Sequence, residues 1–189
     1  MRGLPSTICG LNVMACTYVS SIWGDMPPIV SAFSAAIQAL DLDTVQRDLQ
    51  RALDSAERDP EDAVTAACSV VESVCRSILI ESNLDLPAKQ DISGLYRAVR
   101  EPLGLSPTKE GLPDAIAEDV RNTLSGLITA VQSIGALRTH GGDAHGRERG
   151  FKRVDARIAR LAIHSARAVS LFLIETWKLK FPERALRNE

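Results

Sequence analysis

Aromatic residues are scarce. Four Phe, two Tyr and two Trp make up 4% of the chain. Sheets draw on aromatic and β-branched side chains, so this shortage, beside abundant Ala, favours packed helices. Cysteine is also rare: Cys9, Cys16, Cys68 and Cys75 include no C-x-x-C pair. In a helical pattern Cys68 and Cys75 stand about 10 Å apart along the axis, at 1.5 Å rise per residue. That is too far for a disulfide, so they read as small core residues in a reducing compartment. Three His are present, and ligands at usable spacing for zinc are missing; no metal and no cofactor are expected. No stretch of about 18 uninterrupted apolar residues marks a membrane span. The absence of G-x-x-x-x-G-K-[ST] and G-x-S-x-G patterns, repeats and low-complexity tracts argues against an NTPase or a serine hydrolase.

What is present is helical periodicity. A chain of 189 residues suffices for one sizeable core. The expected organisation is a lead-in over 1–26, one helical domain over 27–180 and a frayed tail over 181–189. The lead-in lacks the basic start and clean apolar core of a signal peptide. Six helices are expected, forming an all-α bundle: 29–40 after Pro27-Pro28, 44–57, 59–82, 91–100, 114–139 and 151–180. The Asp59-Pro60-Glu61-Asp62 start combines an N-cap acid, Pro at the first helical position and acids in the first turn. Apolar positions Val64, Ala67, Cys68, Val71, Val74, Cys75, Ile78 and Leu79 make that helix the expected centre of the core. The helix over 114–139 shows a stripe from Ile116 through Leu124 and Val131 to Leu137. Gly126 and Gly135 inside it cost about 1 kcal/mol each relative to Ala and mark expected close approaches between helices. In the last helix Val154, Ile158, Leu161, Ser165, Ala168 and Phe172 share one face.

Charge is uneven. The net value is −2, yet residues 138–189 carry twelve Lys/Arg and six Asp/Glu, and the rest of the chain ten and eighteen. Arg149, Arg153, Arg157, Arg160, His164 and Arg167 recur at helical spacing in the basic part. They form either a solvated face or a track for a nucleic-acid backbone, along which each neutralised phosphate releases counterions.

Between the last two helical patterns lies Leu137-Arg138-Thr139-His140-Gly141-Gly142-Asp143-Ala144-His145-Gly146. The two Gly can take positive φ and end a helix, which puts Arg138 on its last turn and Asp143 to His145 in the following turn. Two readings of Arg138 and His145 stand side by side. In one, Arg138 caps last-turn carbonyls and His145 pins the turn through backbone hydrogen bonds. In the other, the pair serves phosphate chemistry: imidazole moves protons near its ordinary pKa of ~6.5, and a permanently charged guanidinium holds two phosphate oxygens.

The Arg-x6-His spacing of "LRTHGGDAHG" resembles the Arg-x4-6-His motif of the HEPN superfamily, most of all its abortive-infection C-terminal branch. The resemblance extends upstream through "DPEDAVTAACSVVESVCRSIL" and "DISGLYRAVREPLGLSP", and downstream through "ARIARLAIHSARAVSLFLIET". It spans residues 42–177. It implies an all-α HEPN-like fold and a cytoplasmic, defence-type endoribonuclease toxin that needs no metal. Arg138 would stabilise the transition state and His145 would act as general acid/base. Thr139, His140 and Asp143 would support them and Arg147 would touch a phosphate, while the RNA track, where the basic stripe is one, runs through Arg149, Arg153, Arg157 and Arg160. Thr139 stands where the family often has Asn or another polar residue. The resemblance also implies a homodimer with motifs facing across a cleft. A non-catalytic RNA-binding or dimerisation module, and a toxin held in check by an antitoxin or another defence protein, are the alternatives.

Overall fold

A computed structural model describes residues 43–107, 115–141 and 154–184, with Ala36 and Leu186. It contains five helices and no strand among the described residues: α1 (Asp43–Ser55), α2 (Pro60–Glu81), α3 (Ile92–Leu103), α4 (Ala117–Gly141) and α5 (Ala156–Lys180). The all-α class is as expected. The expected first helix, over 29–40, falls outside the described residues apart from Ala36, which is helical and buried.

α2 is the hub. Asp59 caps it by accepting the Asp62 N–H at 3.0 Å, and Pro60 occupies the first turn, where its missing N–H costs nothing. All eight of its expected core residues are buried, and α2 packs against each of the other four helices. By length and composition α2 could cross a bilayer, but 67% of that stretch is buried inside the bundle. It is the core helix of the packed domain.

α3 runs past its expected end at Arg100, through Pro102, to Leu103. Gly104 then takes φ 69°, its N–H donates to Glu101 O at 2.9 Å, and the Leu105 N–H donates to Arg100 O at 2.8 Å. This paired closure satisfies the last carbonyls and needs a residue that tolerates positive φ. Pro102 sits so near the end that it removes only one helical bond.

α5 differs from expectation in its start and its buried face. It begins at Ala156 rather than 151, because Asp155 accepts the N–H groups of Arg157 and Ile158 at 2.9 and 3.1 Å. The face turned to the core runs through Ala159, Ala162, Ile163, Ala166, Ser170, Leu173, Ile174 and Trp177. Of the face read from periodicity, Ile158, Leu161 and Ala168 are exposed, with Leu161 at 61%. α5 is apolar on two sides, and the Ala-rich side packs on α2 because small side chains let the helix axes approach closely.

The glycines of α4 divide. A Cβ on Gly135 would meet Ile92 Cγ2 at 2.6 Å, so α3 and α4 do pass closely there. Gly126 faces open space, with nothing within 4 Å of such a Cβ; among the described residues no helix makes the expected close approach there. Ile116, which opened the expected stripe, is half exposed just before the helix begins, while Leu124, Val131 and Ile134 are buried.

Candidate functional site at the end of α4

The site begins on α2. Cys68, Glu72 and Arg76 are spaced four apart, so they rise one above another on one side of the helix. Each ties α2 to something different. The Cys68 thiol donates to Ile134 O on α4 at 3.5 Å. One turn further along both helices, Glu72 Oε1 meets Arg138 Nη2 at 2.8 Å. One turn beyond, Arg76 donates to Gln90 Oε1 at 2.6 Å in the connection to α3. The contacts 68–134 and 72–138 advance together, so α2 and α4 run in the same direction where they touch.

Arg138 therefore stands on the last turn of α4 with its guanidinium held by α2. Its side chain is 30% exposed and that of Glu72 is 15% exposed. The contact is a close approach of charges rather than an aligned hydrogen bond, since Glu72 Oε1 is buried and receives no well-directed N–H. Burial alone would lower the Arg138 pKa; the Glu72 carboxylate, with Asp91 further off, outweighs it and raises the value. The guanidinium stays charged and fixed, with N–H donors to spare for another acceptor.

Asp91 shapes the same neighbourhood. It caps α3 by accepting the Gly94 N–H at 2.8 Å and pairs with Lys89 at 3.0 Å. The Gly94 N–H, with the Lys89 ammonium behind it, holds the Asp91 carboxyl below its ordinary pKa. Burial pushes the Cys68 thiol up to about 12, so that sulfur remains a neutral donor rather than a nucleophile.

The other motif residues divide between described and undescribed. The Thr139 hydroxyl donates to Gly135 O at 3.1 Å, which commits its proton to the helix. His140 is exposed. Asp143, His145, Arg147, Arg149 and Arg153 lie outside the described residues. Within the basic stripe, Arg157 pairs with Asp155 at 3.0 Å and Arg160 pairs with Glu57 of the α1–α2 connection. Arg167 leaves the stripe altogether: it is 4% exposed on the core side of α5. Among the described residues no three His, Cys, Asp or Glu side chains converge as a metal site would require.

Sequence reasoning missed Glu72. The signal was present: Glu72 is the one acid between Asp62 and Glu81, on the helix expected to be most buried. A buried carboxylate needs a partner, and the partner is the arginine singled out 66 residues later.

Comparison with known families gives one result that spans this geometry. The family model Abi_C, a HEPN-like domain, matches residues 43–177, a stretch that contains Glu72, Arg138 and position 145. No curated protein and no solved structure matches the chain.

Proposed function

The chain belongs to the HEPN-like Abi_C family, and on that premise we propose that it is a metal-independent endoribonuclease of a defence system. The observation that carries the reading is Arg138, a charged guanidinium fixed by Glu72 at the end of α4 and still reachable from solvent. In the proposed reaction the ribose 2′-hydroxyl attacks the adjacent phosphorus and the bond to the 5′-oxygen breaks. One end becomes a 2′,3′-cyclic phosphate and the other a 5′-hydroxyl. A base takes the 2′-hydroxyl proton and an acid returns one to the leaving oxygen, and His145 serves in this exchange. Arg138 neutralises the charge that grows on the pentacoordinate phosphorus.

A single imidazole does not do both proton transfers at once, so a second is needed. A homodimer supplies it as a second His145, and His140 is the nearest alternative within the chain. The exposed Ile158 and Leu161 support self-association, because they give α5 apolar surface beyond what the core takes up. The pairs of Arg157 and Arg160 with acids are exposed and weak, and both can exchange partners for phosphates alongside Arg147, Arg149 and Arg153. Asp143 would orient an imidazole. Thr139, with its proton committed, contributes only as an acceptor. A toxic cytoplasmic ribonuclease also calls for restraint, by an antitoxin or another defence protein.

A second reading, a non-catalytic RNA-binding or dimerisation module, draws on the same ion pair: Glu72 already neutralises Arg138, as a purely structural pair would. The two readings separate in one assay. Purified protein is incubated with total RNA in excess EDTA, wild type beside His145→Ala, and the product ends are mapped. The ribonuclease predicts cleavage by wild type alone, leaving cyclic-phosphate and 5′-hydroxyl ends. Binding without cleavage by either protein selects the module.

A further inference from the structure

α5 carries an apolar stripe that the core does not take up. Ile158, Leu161, Ser165, Ala168, Phe172 and Leu179 follow one another along it, and with Glu175 between the last two the steps alternate between three and four residues. Leu161 is 61% exposed and Leu179 86%. Ile158 and Ala168 are exposed as well, and Phe172 is only partly buried against the core. From 158 to 179 the stripe runs about 32 Å at 1.5 Å rise per residue. A mean step of 3.5 residues held over three heptads is the pattern by which one helix lies along another. Single exposed apolar side chains are ordinary on a surface; several in one line mark a contact.

The two flanks of the stripe differ. One, through Ala162 and Val169, is buried. The other holds Arg157, His164 and Lys178, all exposed. Outside the core α5 has four Lys/Arg, Arg157, Arg160, Lys178 and Lys180, against one acid, Glu175. Asp155 and Glu57 offset Arg157 and Arg160 only through exposed pairs, which are weak. This basic flank decides between occupants. A second copy packed antiparallel on the same face meets the same patch, so basic flank faces basic flank and Arg157 of one copy lies toward Lys178 of the other. The lead-in of the chain itself has apolar residues but no acid before Asp25.

We propose that the outward face of α5 receives an acidic amphipathic helix from a different protein. That helix places Leu or Ile against the stripe and Glu or Asp against Arg157, His164 and Lys178. Opposite Glu175 it needs a Lys or Arg, and such a polar position within an apolar seam sets the register. It escapes the repulsion that a second copy meets, so it displaces a second copy from Ile158 and Leu161. On the ribonuclease reading this docking is the restraint on the toxin: it draws Arg157 and Arg160 away from RNA and parts the two copies of His145. The docking surface itself does not rest on that reading.

The test is calorimetric titration of the full chain with two designed helical peptides of three heptads each. Both carry Leu and Ile in the seam and a Lys opposite Glu175; the flank is Glu in one and Lys in the other. Wild type is compared with Leu161→Ser and Lys178→Glu, both at exposed positions, so each variant should fold. The acidic peptide should bind about tenfold or more tighter than the Lys peptide, and added salt should narrow the gap. Leu161→Ser should weaken the acidic peptide about tenfold, through the apolar contact it removes. Lys178→Glu should shrink the gap between the peptides. Absence of millimolar binding by both peptides overturns the proposal, as do equal binding of the two and binding indifferent to Leu161→Ser. Self-association that requires Leu161 while neither peptide binds makes a second copy the occupant instead. Should the protein cleave RNA, full cleavage when saturated with the acidic peptide overturns the restraint. An inactive protein that still binds this peptide as expected would sink the ribonuclease and leave the docking surface standing.

Discussion

α2 and α4 are the most instructive pair in the molecule. Both are long, and both contribute one member of the Glu72–Arg138 pair. α2 buries twelve of its 22 residues and packs against every other described helix. α4 has 25 residues and, among those whose burial is described, buries Ala117, Leu124, Val131 and Ile134. From Asn122 to His140 its one charged side chain is Arg138. The difference separates two tasks. α2 supplies stability and a fixed carboxylate; α4 is a lightly anchored arm that presents a cation at its end.

That division can be broken most forcefully in the core. Ile78→Ala, at a fully buried position of α2, should cost about 2–5 kcal/mol in urea denaturation, whereas Thr129→Ala on the exposed side of α4 should stay within about 0.5 kcal/mol. Equal effects would erase the contrast. The pair joining the helices comes next. Glu72→Ala leaves Arg138 half-buried without its counter-charge and should cost on the order of 1–3 kcal/mol. Adding Arg138→Gln should cost less than the sum of the single changes; strict additivity would mean the two side chains do not communicate.

The two glycines sharpen the comparison within α4 itself. Gly126→Ala fills open space and should stabilise by about 0.5–1 kcal/mol. Gly135→Ala gains the same helix propensity but drives a Cβ into buried Ile92, whose branched side chain has little room to turn. It should lower the melting temperature. The same sign for both would contradict the close approach of α3 and α4. The smallest effect concerns pH. The folded-state pKa of Asp91 is depressed, so its contribution is complete above the unfolded value near ~3.9 and is lost as pH falls through the lower folded value. Asn caps helices as well as Asp does without titrating. Wild type should therefore lose stability relative to Asp91→Asn below about pH 4, and a constant difference down to pH 2 would remove the cap from the account.

These contrasts also show what a linear reading can reach. The start of α2 was plain in Asp59-Pro60, because capping is local chemistry. The position of Arg138 on the last turn of α4 was plain in the glycines that follow it. The end of α3 was not, since Pro102 hid the glycine closure two residues later. The buried face of α5 was misread because two apolar stripes satisfy the same period, and the choice between them is made by α2, which a periodicity count within α5 does not include. The role of Glu72 depends on a partner distant in sequence, and the burial of Arg167 on the other helices packed around α5. Half of the candidate site, from Asp143 through His145 to Arg153, lies outside the described residues.

The most direct test of the central claim is the rate of RNA cleavage by Arg138→Gln, measured beside its melting temperature. If Arg138 acts on the phosphate, cleavage should fall by about 10²–10³-fold at temperatures where the variant is fully folded. Undiminished cleavage by the folded variant, or a loss that only tracks unfolding, would return Arg138 to the role of a structural partner for Glu72.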